Sequence, residues 1–276
     1  MALAKNSSRR PSNTRAATAY AVAARALSIV ASIAFWVLVW FIAAKRIGHE
    51  VILPTPAQVL SRLGELLPER AFHVSVANSL FKVVAGLASG ILIAVPCATL
   101  AARVPAIKVL LDPVIITVRA TPVASFIILI WTVLGQKGPS LVPIFISFLM
   151  VFPVVYSALL SAIGEVDRGL LEVATVYRFS LAKRLRLIYI PSVFPTVVSA
   201  CATAAGLAWK AGIAAEVLSQ TRDSIGFEIY TSKAHLETTD LFAYTLTVIL
   251  LSLAIELLLR LARSHALKNG GVKNGK

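Results

Sequence analysis

Long runs of apolar residues, separated by short polar segments, dominate the pattern of this 276-residue chain. Six of these runs are long enough to cross a bilayer, which takes roughly 20 apolar residues in a helix. They cover residues 27–44, 75–100, 109–134, 140–163, 187–219 and 241–262. The third and fifth are long enough to be tilted or kinked. The pattern predicts an all-α, polytopic membrane protein with about six transmembrane helices.

The segment between the first two runs predicts a short additional helix. Thr55 is a favourable N-cap residue, and Pro56 suits the first helical position. Apolar residues then recur at helical spacing, namely Val59, Leu60, Leu63 and Leu67. This pattern is typical of an amphipathic helix lying on the outer face of the membrane. A plain loop is the alternative.

Composition and charge support a membrane location. Hydrophobic residues make up 58% of the chain and charged residues only 14%, whereas soluble domains carry roughly a quarter charged residues. Most of the 27 Lys and Arg residues fall in alternate connecting segments, so the positive-inside rule places both termini in the cytoplasm of an inner membrane. The net charge of +14 therefore indicates topology and contact with membrane lipid, not nucleic acid.

The same distribution divides the chain into three parts. Residues 1–26 form a basic cytoplasmic tail, residues 27–263 a transmembrane domain, and residues 264–276 a second basic tail. Cys97 and Cys201 lie inside apolar runs without metal-ligand spacing, and the four histidines are scattered. We therefore expect no metal site, no catalytic residue and no cofactor bound by this chain.

The polar segment of about residues 164–186 carries the most informative pattern. Asp167 can cap a short helix, in which Leu170, Ala174 and Tyr177 fall at i, i+4 and i+7. Ser180, another capping residue, can begin a second helix that continues into the fifth run. Two short helices with one exposed apolar face form a docking element for a protein groove.

This segment resembles the EAA motif of permeases in binding-protein-dependent ABC importers. Glu172 stands at the first position of that motif, Ala174 at the third, Ile188 at the seventeenth and Pro191 at the twentieth. The motif glycine at the seventh position is replaced by Arg178. Glycine permits a positive φ or a close backbone approach, so Arg178 leaves the turn geometry open. Its basic side chain is also a candidate to face an acidic patch on an ATPase.

The resemblance extends from about residue 53 to residue 263. Within this family, the chain is most similar to the nitrate/sulfonate/taurine-type subgroup. The matching fragments are Leu53-Pro-Thr-Pro56, Asn78-Ser79-Leu80 with Lys82 and Gly86, Arg119-Ala-Thr-Pro122, and Gly206 to Val217. In that subgroup an arginine is more usual at the position of Lys82. The order and spacing of the fragments make the resemblance specific.

The resemblance implies the type I ABC importer permease fold, working as a dimer. A second copy of the chain is the expected partner, and a different permease chain is the alternative. It implies two ATPase subunits, which bind ATP and Mg, and an extracytoplasmic solute-binding protein. The segment of about residues 164–186, here named the coupling loop, would seat in the ATPase. The coupling residues implied are Asp167, Leu170, Glu172, Ala174, Tyr177, Arg178 and Pro191. Solutes of such permeases include small organic or inorganic anions and thiamine-precursor pyrimidines. The chain has no G-x-x-x-x-G-K-[ST] loop of its own.

Charged residues inside the apolar runs are costly and need partners or water. Lys82 could extend toward the outer interface, and Arg119 near Pro122 could line a cavity or anchor a neighbouring helix. Small residues form two stripes in the fifth run, one with Ala204, Ala208, Gly212 and Glu216, the other with Ala202, Gly206, Lys210 and Ala214. Our candidates for the translocation path are Arg119, Trp209, Lys210 and Glu216. The alternative is that Lys210 and Glu216 only join helices.

Three other functions remain open at this point. An ion-coupled secondary transporter would often show internal repeats, and none is visible. A membrane enzyme would need clustered His, Asp or Glu residues, which the chain lacks. A scaffold or assembly protein is the third possibility.

Overall fold

The computed structural model describes residues 13–134 and 138–269, and within those ranges the chain is all-helical. The helices are α1 (Asn13–Ile47), α2 (Pro56–Leu66), α3 (Arg70–Arg103), α4 (Pro105–Ala120), α5 (Val123–Leu134), α6 (Leu141–Gly164), α7 (Arg168–Val176), α8 (Leu181–Arg184), α9 (Ile190–Ser219), α10 (Ile225–Ala234) and α11 (Thr238–Asn269). A π-helical segment, Leu185–Tyr189, joins α8 to α9. Helix thus enters both predicted polar tails, whose outermost residues, 1–12 and 270–276, lie outside the described ranges.

Five helical stretches are long and apolar enough to cross a membrane. They are Leu27–Ile47, Arg70–Arg103, Leu141–Gly164, Leu181–Ser219 and Thr238–Ala262. Each coincides with one of the predicted runs, which confirms the all-α membrane fold. Large apolar side chains remain exposed along these helices, as expected where they face lipid instead of a protein core.

The third predicted span is not one continuous helix. Helices α4 and α5 meet at an angle of 108°, and the break falls at Thr121 and Pro122. Thr121 has an extended backbone with ψ of 134°, the conformation that a following proline favours. Proline alone does not impose this break, because α6 continues through Pro153, where it is held between α3 and α9. The sequence indicated a kink in this run, but not two helices at nearly a right angle.

Helices α3, α6 and α9 form the core of the fold and approach closely at small residues. An added Cβ on Gly86 would lie 2.5 Å from the Ile144 carbonyl oxygen, and one on Gly212 would lie 2.8 Å from Ser147 Oγ. Both distances are too short for any side chain, so only glycine allows this packing. Ser147 Oγ also donates a hydrogen bond of 3.3 Å to the Ala208 carbonyl across α6 and α9. Such close contacts are typical of helix packing in membranes.

The two stripes of small residues on α9 have different environments. The stripe of Ala204, Ala208, Gly212 and Glu216 is buried at all four positions, against α3 and α6. In the other stripe, Lys210 and Ala214 are exposed, while Ala202 and Gly206 are half-buried. The first stripe therefore builds the core, and the second leaves a free face on α9.

Helix α2 begins as the sequence predicts, with Thr55 as its N-cap. Gln58 Oε1 accepts a hydrogen bond of 2.7 Å from the Thr55 backbone N–H, completing a capping box. The predicted apolar face is only partly correct, since Val59 is buried whereas Leu60 and Leu67 are exposed. Arg62 joins α2 to α11 through two hydrogen bonds of 2.7 and 2.8 Å to the Asp240 carboxylate. These bonds raise the pKa of Arg62 above its ordinary value.

The contacts that the described side chains of α1 make with the rest of the fold lie near its C-terminal end. Trp40 Nε1 donates a hydrogen bond of 3.1 Å to the Pro54 carbonyl, and the Trp40 ring stacks on Phe242 of α11 at 5.8 Å between centroids. From Leu27 to Val39 its described side chains are exposed.

Candidate functional site

The coupling loop folds into two short helices connected by a tight turn. The Asp167 side chain caps α7, with Oδ1 accepting a hydrogen bond of 2.8 Å from the Gly169 N–H. Ser180 caps α8 through a bond of 3.4 Å from the Lys183 N–H. Both caps satisfy backbone donors that a helix start leaves free. These are the two helix starts that the sequence predicts.

The apolar side chains of α7 divide between the protein interior and the surface. Ala174 is fully buried in the hydrophobic core, whereas Leu170 and Tyr177 are exposed, Tyr177 to 72%. The predicted single face through these three residues is therefore corrected. Val173 and Val176 join the exposed set instead. The small Ala174 fastens α7 to the membrane domain, and the larger side chains around it form an uncovered apolar surface.

Arg178 takes the backbone conformation that the motif glycine would provide. Its φ is +52°, in the left-handed region. The Phe179 N–H donates to the Ala174 carbonyl at 2.8 Å, and the Arg178 N–H to the Thr175 carbonyl at 3.1 Å. This pair of bonds is a Schellman motif, which ends a helix on a left-handed residue. The turn geometry is thus preserved with arginine, at a conformational cost of about 1–2 kcal/mol for a residue that has a Cβ.

The connection from the coupling loop to α9 contains a π-helical segment. The Ile190 N–H bonds to the Leu185 carbonyl, five residues back, and Pro191 follows directly in the first turn of α9. Ile188 is buried, so the segment is packed against the fold. At its start, Lys183 Nζ lies 4.1 Å from the centroid of the Phe179 ring, a cation–π contact. π-Helical segments are frequent at functional sites.

A buried ion pair lies near the other end of α9. Glu216 is 0% exposed and Lys82 of α3 is 7% exposed. Lys82 Nζ lies 3.5 Å from Glu216 Oε1, and Oε2 accepts hydrogen bonds from Ser79 Oγ at 2.7 Å and from the Gly226 N–H at 3.2 Å. Ser79 Oγ in turn accepts from the Ile225 N–H at 3.0 Å. We name this group of five residues the Glu216 node.

The node connects three elements and satisfies both of its charges. It joins the start of α10 to α3 and α9, and Asn78 adds a bond of 3.0 Å to the Asp223 carbonyl beside it. Lys82 therefore does not extend toward the interface, because a carboxylate is available in the interior. In the sequence, Lys82 and Glu216 belong to fragments in separate apolar runs, and the structure brings these two residues together. Sequence reasoning missed this pairing, although each charge in an apolar run needs a partner.

The four residues proposed for the path do not share one environment. Trp209 is 1% exposed, and its Nε1 donates to the Val248 carbonyl of α11 at 3.3 Å. Trp209 and Glu216 are thus both enclosed within the chain. Arg119 and Lys210 are exposed, and Arg119 Nη2 also donates to the Pro153 carbonyl of α6 at 3.1 Å. Arg119 is therefore bonded to α6 while its side chain remains exposed.

Outside the membrane-spanning helices, Glu228 of α10 is the notable titratable group. Burial raises its pKa above the ordinary carboxyl value, and nearby Asp223, Asp240 and Glu69 add to that effect. The bond from Ser75 Oγ, 3.4 Å, acts in the opposite direction. Among residues 13–134 and 138–269, no group of three or more His, Cys, Asp or Glu side chains is arranged to hold a metal ion.

Comparisons with known proteins agree with this geometry. Residues 86–266 match the sequence profile of the family described as "Binding-protein-dependent transport system inner membrane component". The chain is 24% identical to the taurine transport system permease protein TauC of Escherichia coli (strain K12), over 80% of this chain and 81% of that one. It is 24% identical to the nitrate import permease protein NrtB of Synechocystis sp. (strain ATCC 27184 / PCC 6803 / Kazusa), over 68% and 70%. A crystal structure of an amino acid ABC transporter with histidines superposes with a TM-score of 0.62, 17% identity, and coverage of 74% of this chain and 97% of that one.

Proposed function

This chain belongs to the binding-protein-dependent transport system inner membrane components, and on that premise we propose that it imports a small anion and is driven through its coupling loop. It is a multi-pass permease subunit of an ABC importer in the inner membrane, and it is not an enzyme. ATP is bound by a separate ATPase subunit. Family membership therefore excludes the three alternative functions, which were an ion-coupled secondary transporter, a membrane enzyme and a scaffold protein.

The exposed apolar surface of α7 is the observation that carries the coupling proposal. Ala174 packs α7 against the fold, and the exposed apolar side chains of this helix and its C-cap are those of Leu170, Val173, Val176 and Tyr177. An amphipathic helix with such a face binds in a groove of a partner. We assign this surface to the ATPase, with Asp167 and Arg178 fixing the two ends of α7. Glu172, also exposed, and Pro191 at the start of α9 complete the coupling residues.

The partners follow from this assignment. Two ATPase subunits, each with ATP and Mg, would bind two copies of the coupling loop, one from each permease of a homodimer. A solute-binding protein would deliver the solute from the opposite side. The ATPase acts in the cytoplasm, so α7 and α8 lie on the cytoplasmic side. If the α4–α5 pair is counted as one span, the chain crosses the membrane six times and both termini are cytoplasmic. The positive-inside distribution of Lys and Arg supports the same orientation.

Lys210 supports an anionic solute. It stands on the free face of α9, and its side chain makes no hydrogen bond or ion pair with the described residues. A cation in a membrane helix is expensive unless it faces water or an anion. The names of the relatives, taurine and nitrate permeases, agree with a sulfonate-like or nitrate-like solute. A thiamine-precursor pyrimidine is the other solute class of the subgroup, and nothing in the described residues favours it. We propose that Lys210 and Arg119 face the path.

The coupling assignment is tested by co-purification of the chain with the ATPase encoded beside it. We expect Tyr177→Ala to weaken ATPase binding by about tenfold or more, since an exposed aromatic anchor at a groove contributes on the order of 2 kcal/mol. Glu172→Lys tests the charge on the same helix. The matched control is Phe81→Ala, which removes an aromatic ring that is 69% exposed on α3. Equal ATPase recovery with Tyr177→Ala and Phe81→Ala would overturn the assignment.

The solute class is tested by uptake of radiolabelled nitrate and taurine into vesicles that contain the whole transporter. Lys210→Ala should reduce uptake, while Lys210→Arg keeps the positive charge and should retain most of it. Co-purification of the ATPase with both variants controls for assembly. Uptake unchanged in Lys210→Ala would exclude Lys210 from the path.

A further inference from the structure

A cavity of about 640 Å³ lies where α3 and α6 end and where α8 and α9 begin. Apolar side chains form most of its wall, among them Val95 of α3, Leu159 of α6, and Val193 and Phe194 of α9. No Asp or Glu is among its lining residues. Because these residues belong to the ends of three spanning stretches, the cavity is at the boundary between hydrocarbon and water. It is distinct from the exposed face of α7.

Two arginines line the same cavity. Arg103 closes the last turn of α3 and Arg184 the last turn of α8. Arg184 Nη2 donates to Thr175 Oγ1 at 3.4 Å, but its Nε is buried without a hydrogen-bond partner. Within the described ranges, the Arg103 side chain makes no hydrogen bond or ion pair. Buried donors are nearly always satisfied in native proteins, so Arg184 has unused hydrogen-bonding capacity beside the cavity.

We propose that this cavity binds the headgroup phosphate and acyl chains of an acidic phospholipid of the phosphatidylglycerol type. Guanidinium groups form strong hydrogen bonds with phosphate oxygens, and basic pockets between helices on the cytoplasmic side bind anionic headgroups. The apolar wall would be filled by acyl chains, which a small soluble anion could not do. The assignment of this lipid to the inner leaflet rests on the membrane orientation given in the proposed function. The cavity and its two arginines do not depend on that function.

A bound lipid would touch the connection between the coupling loop and α9. Leu185 and Tyr189, the two ends of the π-helical segment, line the cavity, as does Ile190 at the start of α9. An acyl chain packed there would stabilise this segment. The lipid is thus placed to affect how movement of the coupling loop reaches α9.

The first experiment counts lipids on the purified transporter by native mass spectrometry. Dioleoyl-phosphatidylglycerol and dioleoyl-phosphatidylcholine are added in turn at increasing concentrations. The variant Arg103→Gln with Arg184→Gln should bind phosphatidylglycerol about tenfold or more weakly, since each basic residue contributes about 1 kcal/mol to anionic lipid binding. The matched control is Arg186→Gln, an exposed arginine in the π-helical segment that does not line the cavity.

A second pair of variants separates the cavity from general attraction to the arginines. Thr99→Trp fills the cavity from α3 and should abolish the tight site, while Thr132→Trp places the same bulk on an exposed part of α5. Equal binding of phosphatidylcholine, full competition by soluble glycerol phosphate, or unchanged binding in Arg103→Gln with Arg184→Gln would each overturn the proposal. The proposal would also be overturned if a second copy of the chain fills the cavity. In that case wild type would bind no lipid, and Thr99→Trp would no longer form the dimer. Lipid counts need neither transport nor ATPase binding, so failure here is distinguishable from failure of the proposed function.

Discussion

The Glu216 node and the coupling loop lie near opposite ends of α9, and they are built in opposite ways. In the node, two opposite charges and the Ser79 hydroxyl are buried, and they pair with one another and with backbone N–H groups at the start of α10. In the coupling loop, local caps and a Schellman turn hold two short helices, and apolar side chains remain uncovered. The node completes its interactions within the chain, whereas the loop lacks a partner for its apolar surface.

This contrast separates residues that stabilise the fold from those available for binding. A buried charge pair contributes little net stability, but removing one partner is strongly destabilising because it leaves the other charge unpaired. An exposed side chain of α7 can be removed with little effect on the fold and a large effect on a partner. We expect node variants to change unfolding and loop variants to change assembly.

The largest effect should come from breaking the ion pair. Glu216→Ala leaves Lys82 buried without its counter-charge and should lower the free energy of unfolding by about 3–5 kcal/mol. Thermal unfolding in detergent, followed by tryptophan fluorescence, measures this change. The matched control is Glu256→Ala on α11, which breaks an exposed pair with Arg260 and should change stability by at most about 0.5 kcal/mol.

A double variant tests whether the unpaired charge is the cause. Lys82→Met with Glu216→Gln removes both charges and keeps an acceptor for Ser79 and for the Gly226 N–H. It should recover most of the stability lost in Glu216→Ala. If Glu216→Ala is no less stable than Glu256→Ala, the node does not have the structural role assigned to it.

Close packing around the node should give the next largest effect. A Cβ on Gly226 would lie 2.7 Å from the Val217 backbone nitrogen, so Gly226→Ala should cost about 1–3 kcal/mol through overpacking. Gly206→Ala is the matched control, because nothing lies within 4 Å of its added Cβ. That change should be neutral or stabilising by up to about 1 kcal/mol, since alanine favours a helix over glycine. Equal destabilisation by both variants would show that the approach of α10 to α9 is not as close as described.

The sequence predicted the local helix starts in the coupling loop and at α2, but not the Glu216 node. Thr55, Asp167 and Ser180 are helix caps as expected, because a cap depends on a few neighbouring residues. The pairing of Lys82 with Glu216 was missed because 134 residues separate them, and helical periodicity does not specify which helices touch. The burial of Ala174 within a mostly exposed α7 was missed for the same reason. The two stripes on α9 were visible in the sequence, but which one packs inward depends on Val83 of α3 and Ser147 of α6.

In the coupling loop, the conformation of Arg178 predicts a stabilising substitution, whose effect is smaller than the destabilisation expected of the node variants. Arg178→Gly removes the strain of a left-handed residue with a Cβ and should stabilise the loop by about 1 kcal/mol. Hydrogen exchange of the Phe179 N–H, which closes the Schellman turn, should slow by about fivefold. Glu172→Gly, at an exposed helical position of the same α7, should instead speed exchange. If both glycines speed exchange, the turn is not strained in the folded chain.

Glu228 of α10 lies between the two extremes, since it is half-buried and has one hydrogen bond, from Ser75. Burial raises its pKa, so the folded chain holds the proton more tightly than the unfolded chain. Its contribution to stability is therefore present at low pH and is lost as the pH rises from the ordinary carboxyl pKa, about 4.3, through the raised value. Glu228→Gln should flatten this part of the pH dependence of thermal unfolding, by less than any change above because solvent screens the group. Glu237→Gln, at an exposed glutamate nearby, is the control, and an identical pH dependence in wild type and Glu228→Gln would rule out Glu228 as the titrating group.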